Sequence, residues 1–501
     1  MNEEQYLQVC ESCDNLLKAA DSTLERVAIP WLHVLNEHPA NLAKYASLFE
    51  ASRPTLLGFV RRAAGSLWAM RRWFYHGQPW HGTDALPSRV DVVIVSHLLN
   101  ASQVGESEDF YFGKLPEALV QKGFSTVVAL RDHAGLDLQS LAGCWPFARA
   151  PRVLFSATLS WLDELKLRAR LRKEAKRLRS SEKDALPALH KRVREIAASQ
   201  ALDPSAIATL RLYVQVQRLV GRLRPASIVV TYEGHAWERI VFAAARSVDA
   251  KIRCIGYHHA ILFPRQHAIK RTLGRGYDPD IICTGGHITR RVLERTTLLH
   301  DTPLVTVGTH RREEDGLSLL RKTTARLAPA CLVIPDGTMD ECLTIFSFVL
   351  EIAVMAPAIS FIIRMHPVMR FAAVAARDAR LLALPGNVQV SSQSINADFD
   401  ISRWAIYRGS GAAIRAVVAG LRPFYFKPRD EQLGIDPLYE LDTWRSVVTT
   451  PDELMARMNL DLASDVKVLG EEMAKARDFC REFYTPVNLE SFCRHITHGR
   501  S

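Results

Sequence analysis

The sequence predicts an α/β protein made of two parallel-sheet domains, and three observations carry that prediction. From residue 90 onward, short apolar runs alternate with segments of helical periodicity: Val90 to Ser96, Ser125 to Leu130, Ile228 to Tyr232, Ile252 to Tyr257, Ile281 to Thr284, Leu304 to Val307, Cys331 to Pro335, Ser360 to Arg364, Val388 to Val390, Trp404 to Tyr407 and Pro423 to Phe426. The runs are close to continuously apolar, as strands covered on both faces must be. Eleven of them exceed one ordinary doubly wound sheet, and the polar, charge-mixed stretch Thr309 to Arg326 offers a break between two Rossmann-like halves.

Taken in order, residues 1–85 read as a helical extension, with Leu16, Leu17, Ala20, Leu24 and Val27 at helical spacing and an aromatic cluster around Trp68, Trp73, Phe74 and Trp80. Residues 86–308 form the first Rossmann-like domain, interrupted by a helical insert at 159–200. Residues 309–465 form the second, and 466–501 form a C-terminal helix marked by Val468, Leu469, Met473, Ala476 and Phe479. The longest apolar stretch, Leu343 to Ile363, carries Glu351 and Pro357, so it reads as a buried helix to about Met355 followed by a strand rather than a membrane span. No secretory signal is read at the N-terminus.

Composition narrows the partners. The chain has 501 residues, 48% apolar and 24% charged, which excludes disordered and collagen-like classes, and its net charge is +10. Lys166 to Arg194 holds twelve Lys or Arg against three acids, so nearly all of the excess sits in one segment, where Leu167, Leu171, Ala175 and Leu178 mark a helical face. Either this is a solvated basic helix or it docks on anionic inner-leaflet lipid. No helix-turn-helix, zinc-finger or RNP-like pattern accompanies it, so no nucleic acid partner is expected. Nine scattered cysteines, mostly within apolar runs, fit reduced thiols in a cytoplasmic protein; Cys10 and Cys13 lack the further ligands a zinc site needs.

Ligands of open α/β sheets bind beyond the carboxyl ends of strands, and four strand ends carry chemistry. After Ile228 to Tyr232 come Glu233 and His235, placed to take a proton from an acceptor hydroxyl, or else to cap the helix that begins near Ala236. After Ile252 to Tyr257 come His258 and His259, adjacent and therefore a poor metal pair, each able to donate to a phosphate or sugar oxygen. Arg364, His366 and Pro367 end another strand and offer a cation and an imidazole to a phosphate. Gly409, Ser410, Gly411 and Ala412 make a small-residue turn into a helix, which lets an anion approach backbone N–H groups.

The His366-Pro367 pair and the Ser410 turn some forty residues on resemble the donor half of GT-B glycosyltransferases that use cytidine nucleotides: bacterial sialyltransferases and polysialyltransferases, Kdo transferases and CDP-glycerol glycerophosphotransferases. Tyr232 to Arg239 and Gly256 to His259 are similar to bacterial surface-carbohydrate biosynthesis proteins of this architecture. The resemblance covers about residues 90–430. It implies a GT-B fold, two Rossmann-like domains facing a cleft, and transfer of a sugar, a nonulosonate or Kdo, from a CMP-activated donor to a cell-surface glycan or glycolipid. It implies donor-phosphate contacts at His366, Pro367 and Ser410 and a general base at Glu233, with neither a metal nor another cofactor. Gly409 and Gly411 flank Ser410 where the families carry a second hydroxyl, and Tyr232 replaces the first acid of their acidic-acidic-Gly motif. The alternatives are CDP-glycerol-type phosphotransfer, with His235, His258 or His259 as base, and a catalytically silent nucleotide-binding scaffold. The expected location is the cytoplasm, at the inner face of the membrane if the basic insert engages lipid.

Overall fold

The computed structural model describes residues 1–49, 77–82, 86–136, 145, 148–180, 187–296, 299, 301–310 and 329–497. Trp68, Trp73 and Phe74 of the aromatic cluster, Cys144, residues 181–186 of the basic insert and nearly all of the 309–326 break lie outside them.

Fourteen strands are described, in two sheets. The first contains β1 (Trp80–Gly82), β2 (Val92–Leu98), β3 (Thr126–Asp132), β4 (Arg152–Phe155), β5 (Ser227–Thr231), β6 (Arg253–His258), β7 (Ile281–Thr284) and β8 (Leu304–Thr306). Their order is β1-β4-β3-β2-β5-β6-β7-β8, parallel throughout except for β1 against β4. The second contains β9 (Ala330–Ile334), β10 (Ser360–Ile363), β11 (Val388–Val390), β12 (Trp404–Tyr407), β13 (Arg422–Phe426) and β14 (Ser446–Val448), all parallel in the order β11-β10-β9-β12-β13-β14. All eleven expected runs are strands. The unanticipated β1, β4 and β14 are three or four residues long, too short to show a period.

Each sheet reverses its strand order once, between β2 and β5 in the first and between β9 and β12 in the second. Chains leaving the sheet at such a point diverge and open a crevice at the strands' carboxyl ends. The residues there are His97 and Glu233 in the first lobe, and Asp336 and Ser410 in the second.

The N-terminal extension is not a separate appendage. Tyr6, Val9, Cys13, Leu17 and Trp31 share one apolar core with Leu167, Leu171, Leu178, Val193 and Leu210, so the basic helix Trp161–Ser180 is clamped between the extension and the first sheet's helices. Two of its acids face inward and are paired, Glu174 with Arg26 at 2.7 Å, both nearly fully buried, and Glu164 with Arg211, while the half-buried Asp163 meets Arg218. Deleting one member of such a buried pair costs about 3–5 kcal/mol. Its bases face outward.

The tail is two helices rather than one. Val466–Arg481 packs on the second lobe against Ala412–Val418, and Leu489–Thr497 packs on the first against Leu115–Gln121. Residues 482–488 cross between them in backbone contact with the ends of β7 and β8: Thr485 N–H donates to the Gly285 carbonyl (2.9 Å), Thr309 N–H to that of Thr485 (2.9 Å) and Asn488 N–H to that of Val307 (2.8 Å). A Cβ on Gly286 or Gly308 would collide with the carbonyls of Phe483 or Pro486, so only glycine admits the crossing chain.

The apolar stretch after Leu343 resolves as expected into the helix Met339–Met355 and β10. Among the described residues no helix is long and apolar enough to cross a membrane.

Candidate active site

In the first lobe the chain leaves β5 at Thr231 and turns at Gly234, whose φ of +87° and close approach to the backbone of Ala268 leave no room for a side chain. The helix Ala236–Val248 then begins. Glu238, one turn in and buried, accepts the backbone N–H groups of Glu233 (2.9 Å), Gly234 (2.7 Å) and His235 (2.8 Å). Burial pushes its carboxyl up to about 7, although the neighbouring His235 draws it down. Below the turn Arg239 pairs with Asp278 and donates to the carbonyls of Ala268 and Arg271.

Because Glu238 does the capping, the Glu233 side chain is released from that task. Its carboxylate lies 3.7 Å from His235 Nε2 and 3.8 Å from His259 Nε2, and 27% of the side chain remains exposed. Burial alone would raise the Glu233 pKa, but the flanking imidazoles hold it well below the usual carboxylate range. Burial alone would lower that of His235, but Glu233 and Glu238 raise it. Glu233 is thus a firmly ionised anion, and the basic group beside it is His235.

His259 stands edge-on to Tyr111, ring centroids 4.4 Å apart. His258 is placed differently: it is fully buried under the turn with Nδ1 2.8 Å from the Tyr232 carbonyl oxygen, so its ring supports the loop rather than lining the cleft.

In the second lobe the strand ends converge on a cleft of about 560 Å³, a size that holds a nucleotide. Arg364, His366, Pro367, Ser410, Gly411 and Ala412 line it, while Gly409 sits behind the wall with its N–H on the Ile435 carbonyl. Among the described residues no carboxylate lines it. Arg364 is bonded to the buried Asp398 (2.7 Å) and the Gln393 carbonyl, so much of its charge is already balanced. His366 packs on Gly337, and burial lowers its pKa, which favours the neutral imidazole. Its Nδ1 faces the Val368 N–H at 3.4 Å, which leaves Nε2 to carry the ring proton. Arg408, just before the turn, is consumed by Glu341, Glu431 and the Phe426 carbonyl.

Other cleft residues had no local signature. Arg415 enters from the next helical turn, Phe110 from the first lobe and Tyr484 from the crossing tail. Asp336, after β9, bonds Thr338 and accepts from His38 Nε2 at 2.5 Å, so the N-terminal extension reaches the edge of this site. The Pro335-Asp336-Gly337 turn follows an apolar run as the other site turns do and was legible on that ground; His38 was not.

No protein-family model and no curated protein matches the chain. Among solved structures, it is similar to the glycotransferase of kitacinnamycin (14% identity, TM-score 0.47, covering 82% of this chain and 100% of that one). It is also similar to MurG of Acinetobacter baumannii (11%, TM-score 0.45, 81% and 99%) and to UDP-GlcNAc 2-epimerase from Neisseria meningitidis bound to UDP-GlcNAc (12%, TM-score 0.43, 81% and 99%).

Replacing Glu238 tests how the turn is held. Glu238→Gln turns one acceptor oxygen into an amine facing backbone donors, and should cost about 1–3 kcal/mol of stability in denaturant unfolding. An unchanged midpoint would show that the three N–H groups do not depend on it.

Proposed function

We propose that the chain is a glycosyltransferase that moves a sugar from a nucleotide-activated donor to an acceptor hydroxyl with inversion. The observation that carries this reading is a cleft at the strand ends of the second sheet, walled by Arg364, His366, Ser410 and Arg415, with the Glu233–His235–His259 cluster at the strand ends of the first. In the transfer, the acceptor oxygen attacks the anomeric carbon as the bond from that carbon to the phosphate oxygen breaks. His235 takes the hydroxyl proton, and the Glu233 carboxylate holds the imidazolium that forms. The departing phosphate gains negative charge where His366 Nε2–H, the Ser410 hydroxyl and the Arg415 guanidinium can meet it. The finer reading is a CMP-linked nonulosonate or Kdo donor and a cell-surface glycan or glycolipid acceptor. It rests on the His366-Pro367 and Ser410 pattern.

The outward face of the basic helix supports work at a membrane. Trp161 (59% exposed), Leu162 (50%) and Leu165 (43%) form an apolar tip, followed by exposed Lys166, Arg172, Lys173, Lys176 and Arg179. Aromatic and leucine side chains that enter the headgroup region, backed by cations, are what an anionic bilayer binds.

Turnover of CMP-, CDP-, UDP- and GDP-linked donors, followed by nucleotide release, tests the chemistry. A CMP-sugar should yield CMP and a glycoside, whereas CDP-glycerol turnover would favour phosphotransfer, and nucleotide binding without any turnover would favour the silent scaffold. The kcat/KM profile should rise with pH as His235 loses its proton. Glu233→Gln should move that limb to lower pH, and His235→Ala should cost about 10²–10⁴-fold in kcat. An unmoved limb in Glu233→Gln would place the base elsewhere.

For the membrane, neutralising Lys166, Arg172, Lys173 and Lys176 should weaken salt-sensitive binding to phosphatidylglycerol vesicles by about 1 kcal/mol per charge. Trp161→Ala should weaken it with little salt dependence. Equal sedimentation of the wild type with neutral and anionic vesicles would leave a solvated helix.

A further inference from the structure

Next to the Glu233 cluster, the ends of β2 and β3 bring His97 and Arg131 side by side in register, and the turn after β3 adds His133. His133 Nε2 lies 2.9 Å from His97 Nδ1. The His97 ring stands edge-on to Trp237 (4.9 Å) and Tyr111 (5.3 Å), and the Arg131 guanidinium lies 4.3 Å from the Trp237 ring centroid. The helix that carries Trp237 is the one that His235 opens, and Tyr111 also packs on His259, so this basin adjoins the proposed base.

Arg131 differs from other arginines held in the interior. Arg239 is tied to Asp278, Arg364 to Asp398, and Arg408 to Glu341 and Glu431. The Arg131 side chain makes no hydrogen bond or ion pair with any described residue, and it lies on the face of Trp237. The nearby carboxylate, Glu238, is engaged with three backbone N–H groups. Burial lowers the Arg131 pKa to about 10, which leaves it charged at neutral pH; burial and that charge together hold His97 neutral, down to about 2, and lower His133. The cluster therefore presents one partly desolvated guanidinium, with five donors and no acceptor among the described residues, beside two neutral imidazoles that share one N–H between them and keep a single ring donor for a ligand. A guanidinium so placed on an aromatic face meets a planar or tetrahedral oxyanion in bidentate fashion, in a setting where the pairing is stronger than in open water.

We propose that Arg131, with His97 and His133 beside it, binds an anionic oxygen group, carboxylate or phosphate, on the acceptor, so that the acceptor is an acidic or phosphorylated saccharide. The assignment rests on reading the Glu233–His235 side as the acceptor side. It makes Arg131 a specificity determinant: a neutral sugar would leave the guanidinium without a partner, and an acidic one would be held with its hydroxyl near His235.

Saturation-transfer NMR on the full chain with glucuronic acid, glucose 6-phosphate and glucose tests this directly. At least one acidic probe should bind tenfold or more tighter than glucose, about 1.4 kcal/mol. Whichever of the two binds better identifies the anion as carboxylate or phosphate. Arg131→Gln should abolish the preference and Arg131→Lys should keep part of it, with CMP or UDP binding unchanged in both. Should Arg131→Gln fail to fold, His133→Ala, at an exposed position, should reduce the preference severalfold. Equal binding of acidic and neutral probes overturns the proposal, as does a preference that survives Arg131→Gln or one that His366→Ala removes, which would put the anion in the donor cleft. Nucleotide binding without acid preference would overturn this assignment alone; no nucleotide binding at all would overturn the transferase reading beneath it.

Discussion

The crossing of residues 482–488 over the ends of β7 and β8 is the contact on which the rest of the arrangement depends. It is a backbone ladder, and it is possible only because Gly286 and Gly308 have no side chain in its path. The two tail helices bind opposite lobes, so the crossing fixes how the lobes face each other. It also carries Tyr484 into the cleft, with its hydroxyl beside Gly411 of the small-residue turn. The strand ends of the two sheets, each a local property of its own strands, are thus brought to face one another.

Charge is distributed by role. Acids near the second-lobe site are occupied: Asp398 by Arg364, Glu341 and Glu431 by Arg408, and Asp336 by His38 and Thr338. Among the described residues, that leaves the cleft wall without a carboxylate to compete with a phosphate. In the first lobe the pattern is reversed at Glu233, a carboxylate flanked by two imidazoles, and reversed again at Arg131, a guanidinium that pairs with no carboxylate among the described residues. The excess of the basic insert lies outside all of this, on a helix whose Glu164 and Glu174 point inward to Arg211 and Arg26. The net charge and the placed groups of the two strand-end clusters thus occupy separate parts of the molecule.

What was legible in the sequence was local. Eleven strands showed as apolar runs because both faces of a parallel sheet are covered. The turns after them showed as polar residues at strand ends, and six of the seven residues expected at the donor phosphate line the cleft. What was not legible depended on contacts between distant segments. Glu233 and Glu238 are equivalent as letters; only the folded turn shows that Glu238 receives the three N–H groups and leaves Glu233 exposed. His258 and His259 are adjacent, yet one is buried under the turn and the other faces Glu233. Arg131 ends a strand like many others, and that its guanidinium lies on the Trp237 ring, with no ion pair among the described residues, is visible only in the fold. His38 and Tyr484 reach the site from the two ends of the chain, and no spacing rule could have connected them to it.

The central claim, that the cleft between the lobes is a nucleotide-donor site held by His366 and the Ser410 turn, is tested most directly by calorimetric titration of the full chain with CMP and with UDP, in the wild type and in His366→Ala. The account predicts saturable binding of at least one nucleotide, weakened about 10- to 150-fold in His366→Ala, as befits loss of one hydrogen bond to a charged group. Unchanged affinity in the variant, or no binding of either nucleotide, would contradict it.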